Sequence, residues 1–147
     1  MIKHSKVLVA ALAIGTALHG VAQAADACNA LMSLKLPQTQ IQSAEASPPR
    51  TLGLPRYGPR GVQAVETPAM CRVSGTVAPA IRFEVWLPLS SAWNGRFQHQ
   101  GVGGYAGNLN YGDMGRAVRA GYATTSTDTG HARSDPAWMR GKGLVAD

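Results

Sequence analysis

The chain is short of the residues that usually do chemistry. Its 147 residues include two cysteines and four histidines, and two of the histidines, His4 and His19, fall in the apolar leader. The remaining pair, His99 and His131, has no clustered carboxylates beside it, which argues against a metal centre. No Gly-x-Ser-x-Gly occurs, so the usual strand-to-helix elbow for a nucleophilic serine is missing from this sequence. Lysine and arginine form no run and do not interleave with aromatics, which speaks against a nucleic-acid surface. Gly101-Val102-Gly103-Gly104 departs from the dinucleotide fingerprint, and no Walker lysine follows it. No internal repeat is visible.

The one long apolar run, Val7 to Leu18, is too short to span a membrane. It follows Lys3, His4 and Lys6 and leads to Ala22-Gln23-Ala24, a small-x-small cleavage pattern. Residues 1–24 therefore read as a signal peptide, and the expected location is secreted or periplasmic. An uncleaved anchor is the competing reading, and the alanine-rich end favours cleavage. About 123 residues remain, one domain's worth. The formal charge is +6, to which Lys3 and Lys6 contribute two, so the mature chain is mildly basic. Cys28 and Cys71 allow a single intramolecular pairing, suited to an oxidising compartment. Lipidation of Cys28 is the alternative, and Asp26 fits a lipobox poorly.

Residues 25–69 read as an irregular segment carrying most of the prolines, with a short strand at Ser33 to Leu36. The ordered part is expected from about residue 70 to 147. Cys71 to Val77 has β character. Ile81, Phe83, Val85 and Leu87 alternate with Arg82, Glu84 and Trp86, the period of a strand, and the short link Ala78-Pro79-Ala80 predicts an antiparallel hairpin. Pro88 ends that strand, Asn94-Gly95 supplies positive-φ turn positions, and Arg96 to Gln100 is a third strand. Tyr111, Met114, Val118 and Tyr122 recur at helical spacing, with Asp113 in the first turn and Gly121 as the C′ residue. Tyr122 to Thr127 reads as a fourth strand, parallel to the third across a βαβ crossover. The fold class expected is α/β: an antiparallel hairpin leading into a βαβ unit of an unfinished sheet, its fourth strand left with an open edge.

Two stretches carry possible chemistry. Gly101 to Gly107 lies beyond the carboxyl end of a strand, where ligands bind in open α/β sheets, and its glycines let backbone N–H groups approach a developing oxyanion. An incidental tight turn would have the same composition. Ser126-Thr127-Asp128-Thr129-Gly130-His131 follows the fourth strand and invites a triad reading. A triad takes its partners from separate loops, so local roles are expected instead. Asp128 caps a turn, and His131 packs near the mouth of the site. His99 reads as a strand histidine. Trp86, Trp93 and Trp138 read as packing residues, with Trp93 placed for exposure beside a turn, and Arg133 and Arg140 as solvated.

Several blocks, Cys71-Arg72-Val73, Phe83 to Pro88, Trp93 to Phe97, Gly103 to Gly107 and Ser126 to His131, resemble the N-terminal part of the tannase and feruloyl esterase family, in order and spacing. That family includes hydrolases of mono(hydroxyethyl) terephthalate. The resemblance implies an α/β-hydrolase core, a secreted serine esterase and aromatic esters such as gallates or hydroxycinnamates as substrates. It implies that Gly103 and Gly104 form the oxyanion loop, with Tyr105, Asp128 and His131 supporting the mouth of the site. It also implies a Cys28–Cys71 disulfide. The family's Cys-Ser-x-Gly-Gly elbow, its acid, its histidine and a lid that often holds calcium have no counterpart here. The chain thus looks like a truncated family member, inactive alone, with no cofactor of its own, no nucleic-acid partner and no membrane partner after signal cleavage. A stand-alone secreted binding domain and a non-functional gene product are the alternatives.

Overall fold

The computed structural model describes residues 23–56, 61–89, 91–103 and 107–131. Nearly all of the expected signal peptide, and the tail with Arg133, Trp138 and Arg140, lie outside them. The elements are β1 (Thr39–Ser47), β2 (Arg50–Pro55), β3 (Val62–Thr67), β4 (Met70–Val77), β5 (Ile81–Pro88), β6 (Phe97–His99), helix α1 (Tyr111–Arg119) and β7 (Ala123–Thr127).

Five strands form one sheet in the order β1-β4-β5-β7-β6, and β2 and β3 form a separate two-stranded sheet. β4 and β5 make the expected antiparallel hairpin, with Val77 opposite Ile81. β6 and β7 pair in parallel across α1, as the strand–loop–helix–strand pattern requires. The result is a mixed α/β sheet.

Three expectations need correction. The segment 25–69 is not irregular: it supplies β1, β2 and β3. β1 runs antiparallel along β4, and its polar sequence fits an edge strand whose outer backbone faces water. Pro55 closes β2 at the end of its hairpin, a tolerated place for a residue without an N–H. Ser33 to Leu36 is not a strand either. Ala30–Ser33 is a 3₁₀ turn, and Leu36 makes only an isolated bridge to Thr39. Nor does the fourth strand carry the open edge. β7 is paired on both sides, and among the described residues the free edges belong to β1 and β6.

Two apolar clusters hold the layers. On one face of the sheet Met70 and Trp86 pack with Leu54 and Val65 of the hairpin and with Leu109, Tyr111, Met114 and Val118 of α1 and its approach. Met114, Trp86 and Met70 are wholly buried. α1 passes so close to β3 that a Cβ on Gly115 would overlap the Val65 side chain, so glycine is needed there. On the opposite face Cys28, Ala44, Cys71 and Val73 pack with Leu31, Ile41, Val85 and Leu87. The Cys28–Cys71 disulfide joins the N-terminal helical segment to β4 within this cluster.

α1 has clear ends. Asn110 is its N-cap and accepts from the Asp113 N–H. Gly121, at φ +81°, ends it, and a Cβ there would strike the Ala92 carbonyl. The turn before β6 docks on this end: the Asn94 side chain donates to the Ala120 carbonyl, and the Asn94 N–H donates to Gly121. Of the Asn94-Gly95 pair, only Gly95 has positive φ.

Candidate functional site

The glycine loop leaves β6 at Gln100 and returns at Asn110, the cap of α1. It therefore joins the carboxyl end of a parallel strand to a helix N-terminus, the place where such sheets bind ligands. Gly101 and Gly103 are exposed. A Cβ on Gly101 would meet nothing within 4 Å, and its φ is not in the left-handed region, so neither packing nor backbone shape demands glycine there. Gly107 differs, being buried with φ +53°. Gly104 and Tyr105 lie outside the described residues.

The base of the loop is closely held. The Gln100 N–H donates to the Thr125 carbonyl at 2.7 Å. The Ser126 hydroxyl on β7 donates to the Gln100 carbonyl at 3.0 Å and accepts from the Asn110 N–H at 3.1 Å. The Asn110 side-chain amide donates to Asp113 at 2.9 Å and reaches the Gly101 carbonyl at 3.4 Å.

Ser126, Asp128 and His131 do not form a relay. Ser126 is fully buried, with its hydroxyl committed to two backbone groups. Asp128, 2% exposed, accepts from the Arg82 N–H at 2.9 Å, the Gly130 N–H at 3.0 Å and the Arg82 guanidinium at 2.6 Å. It fixes the turn after β7, where Thr129 takes a φ of 58°. His131 is buried, with Nδ1 3.0 Å from the Thr129 hydroxyl. That hydroxyl donates to the Asp128 carbonyl, so it accepts from the ring, and the proton belongs on Nδ1. His99 is exposed on β6. Trp93 is exposed and donates to the Arg96 carbonyl, whereas Trp86 is a core residue.

The sequence did not mark the polar cluster beside the loop. Glu84 and Trp86, which alternate with Phe83 and Val85 along β5, are buried and face α1. Both Glu84 carboxylate oxygens bind Arg72, at 2.7 and 2.8 Å, a bidentate pair. Trp86 Nε1 and the Tyr111 hydroxyl each donate to Glu84 at 2.8 Å. The Trp86 and Tyr111 rings stack with centroids 6.0 Å apart, and the Arg72 guanidinium lies over Trp86. The hydrogen bond to Glu84 pushes the Arg72 guanidinium further up. Burial, followed by the Glu84 charge, raises the Tyr111 phenol well above its ordinary value. Only the i, i+12 pairing of Arg72 with Glu84 across a predicted hairpin hinted at this cluster.

A cleft of about 270 Å³ opens beside the loop, between Arg82, Phe83 and Glu84 on β5 and Gly107, Asn108 and Leu109. That is near the lower end of the roughly 300–1,000 Å³ usual for small-molecule sites. Among the described residues no three His, Cys, Asp or Glu side chains gather to hold a metal ion.

Comparison with known proteins points to one family. The family model described as tannase and feruloyl esterase matches residues 63–143. An uncharacterized esterase of Xanthomonas campestris pv. campestris is 41% identical over 142 residues, covering 92% of this chain and 24% of that protein. A probable feruloyl esterase B of Aspergillus clavatus is 35% identical over 113 residues, covering 71% of this chain and 21% of that protein. Among solved structures, feruloyl esterase B from Aspergillus oryzae aligns with a TM-score of 0.61 at 26% identity, over 76% of this chain and 23% of that one. The chain spans about a quarter of the length of these relatives.

Proposed function

The chain belongs to the tannase and feruloyl esterase family, and we propose that it builds the oxyanion-loop quarter of an exported serine carboxylic ester hydrolase acting on aromatic esters. The reading rests above all on one observation: a glycine loop with an open backbone at Gly101 joins the carboxyl end of parallel strand β6 to the capped start of α1. In α/β-hydrolases a loop between a strand and the first helix supplies one oxyanion amide, and the other comes from the residue after the nucleophile.

In this reading the Gly104 N–H donates to the oxyanion formed when a serine attacks the ester, and Gly103 shapes the approach. Such a donor acts only as charge develops, and losing one typically lowers turnover by about 10²–10³. The cluster around Glu84 lies beside the loop, and Asp128 fixes the turn after β7. In this reading serine, acid and histidine come from residues outside this sequence, so these 147 residues alone do not turn substrate over. Gallates and hydroxycinnamates are the proposed substrate class, since relatives of matching sequence are named feruloyl esterases. Export fits the disulfide and the basic, apolar leader.

A chimaera tests this. Residues 25–147 replace the matching segment of the Xanthomonas esterase, and hydrolysis of methyl ferulate and methyl gallate is followed. The chimaera is expected to hydrolyse one of them, and residues 25–147 alone neither. Turnover by the isolated chain, abolished by a substitution within it, would overturn the reading. So would a folded chimaera with no activity beside an active parent.

A further inference from the structure

Ser126 stands in a motif that looks catalytic but is wholly buried, and its hydroxyl joins the two ends of the glycine loop. We propose that Ser126, with Asn110, is the positioning residue of that loop: one hydroxyl clamps its base shut and fixes where its amides point. The proposal rests on the oxyanion reading for its function, but the clamp itself is independent of it.

The geometry carries the argument. A hydroxyl has one proton and accepts through its lone pairs. Ser126 donates to the Gln100 carbonyl, the last group before the loop, and accepts from the Asn110 N–H, the first group after it. Groups on either side of the glycine loop thus meet at a single buried oxygen. Asn110 adds a second tie, from its side-chain amide to the Gly101 carbonyl, while its Oδ1 caps α1. Neither tie uses a loop amide between Gly101 and Gly103. A glycine-rich segment has little stiffness of its own, so ties at its ends help to set its geometry. The ends here are anchored on β7, which is paired on both sides. Thr125, the neighbour of Ser126, adds the β6-side bond to the Gln100 N–H.

This separates positioning from simple stabilisation. If Ser126 only stabilised the fold, Ser126→Ala would speed hydrogen exchange at all core amides alike. A clamp predicts local opening: the Asn110 amide and the Gly101 to Gly103 amides change while those of β4 and β5 keep their protection.

The test is native-state hydrogen exchange by NMR on the 147-residue chain, with Ser126→Ala, Ser126→Thr and Asn110→Ser. Asn110→Ser keeps an N-cap oxygen but loses the reach to Gly101, so it stands in if Ser126→Ala does not fold. Ser126→Ala is expected to speed Asn110 amide exchange at least about tenfold beyond any change in β4 and β5, and Ser126→Thr to restore it. Asn110→Ser is expected to shift the Gly101 to Gly103 resonances and leave β4 unchanged. Uniform acceleration in Ser126→Ala, or unmoved loop resonances in Asn110→Ser, would overturn the clamp. In the esterase chimaera the same clamp predicts a lower kcat with KM held for Ser126→Ala; a change in KM alone would contradict it. A chimaera without activity counts against the oxyanion reading and leaves the exchange result to decide the clamp.

Discussion

Tyr111, the first residue of α1, donates its hydroxyl to Glu84 on β5 at 2.8 Å, and this one bond ties the helix that follows the glycine loop to the centre of the sheet. Arg72 and Trp86 bind the same carboxylate, so helix, hairpin and loop flank share a single buried anion.

Removing that anion should be costly. Glu84→Ala leaves a part-buried Arg72 guanidinium without its bidentate partner, and breaking a buried pair from one side costs about 3–5 kcal/mol. Urea unfolding measures it. Replacing Arg72 and Glu84 together by Met and Leu should cost less than Glu84→Ala alone, because no charge is then stranded.

Tyr111 gives a pH signature. Its phenol is raised in the folded chain, so the folded state holds the proton more tightly than the unfolded state, where the value is about 10. The stabilisation is complete below about pH 10 and is lost as pH rises from there towards the higher folded value. Tyr111→Phe should lose about 1.5–3 kcal/mol at neutral pH, the worth of a hydrogen bond to a charged group, and should flatten the alkaline fall. Unfolding curves taken between pH 8 and about 11.5 compare the two slopes.

Gly115→Ala should destabilise although it raises helix propensity by about 1 kcal/mol, because the added methyl meets Val65 and overpacking costs about 1–3 kcal/mol. Val65→Ala in the same chain should recover part of the loss. A double-mutant cycle showing simple additivity would contradict the contact.

The disulfide closes a sequence separation of 43 residues, and its loss should lower stability by about 2–5 kcal/mol. Thermal unfolding with and without reductant, and of Cys28→Ser, should agree in size.

The β4–β5 hairpin, α1 and the parallel β6–β7 pair were legible because apolar period, short links and cap residues all pointed one way. β1 and the β2–β3 hairpin were not. Thr39 to Ser47 is too polar to announce a strand, and Pro55 beside residues 57–60 reads as loop; both gain their strand state from pairing with distant residues. The burial of Glu84 was not legible for a related reason. β5 is covered on both sides, so Val85 and Leu87 pack below while Glu84 is buried above by partners 12 and 27 residues away. Composition located the glycine loop, but the hydroxyl that closes it lay in a motif resembling a triad. Only coordinates show that Ser126 serves two backbone groups.

The account turns on a loop amide, and proline removes an amide without adding charge. The decisive measurement is kcat for methyl ferulate hydrolysis by the esterase chimaera carrying Gly104→Pro, beside Gly101→Ala as a control whose added Cβ meets nothing. The account predicts a fall of about 10²–10³ in kcat for Gly104→Pro at unchanged thermal stability, with Gly101→Ala near the parent. Full turnover in a folded Gly104→Pro chimaera would contradict it.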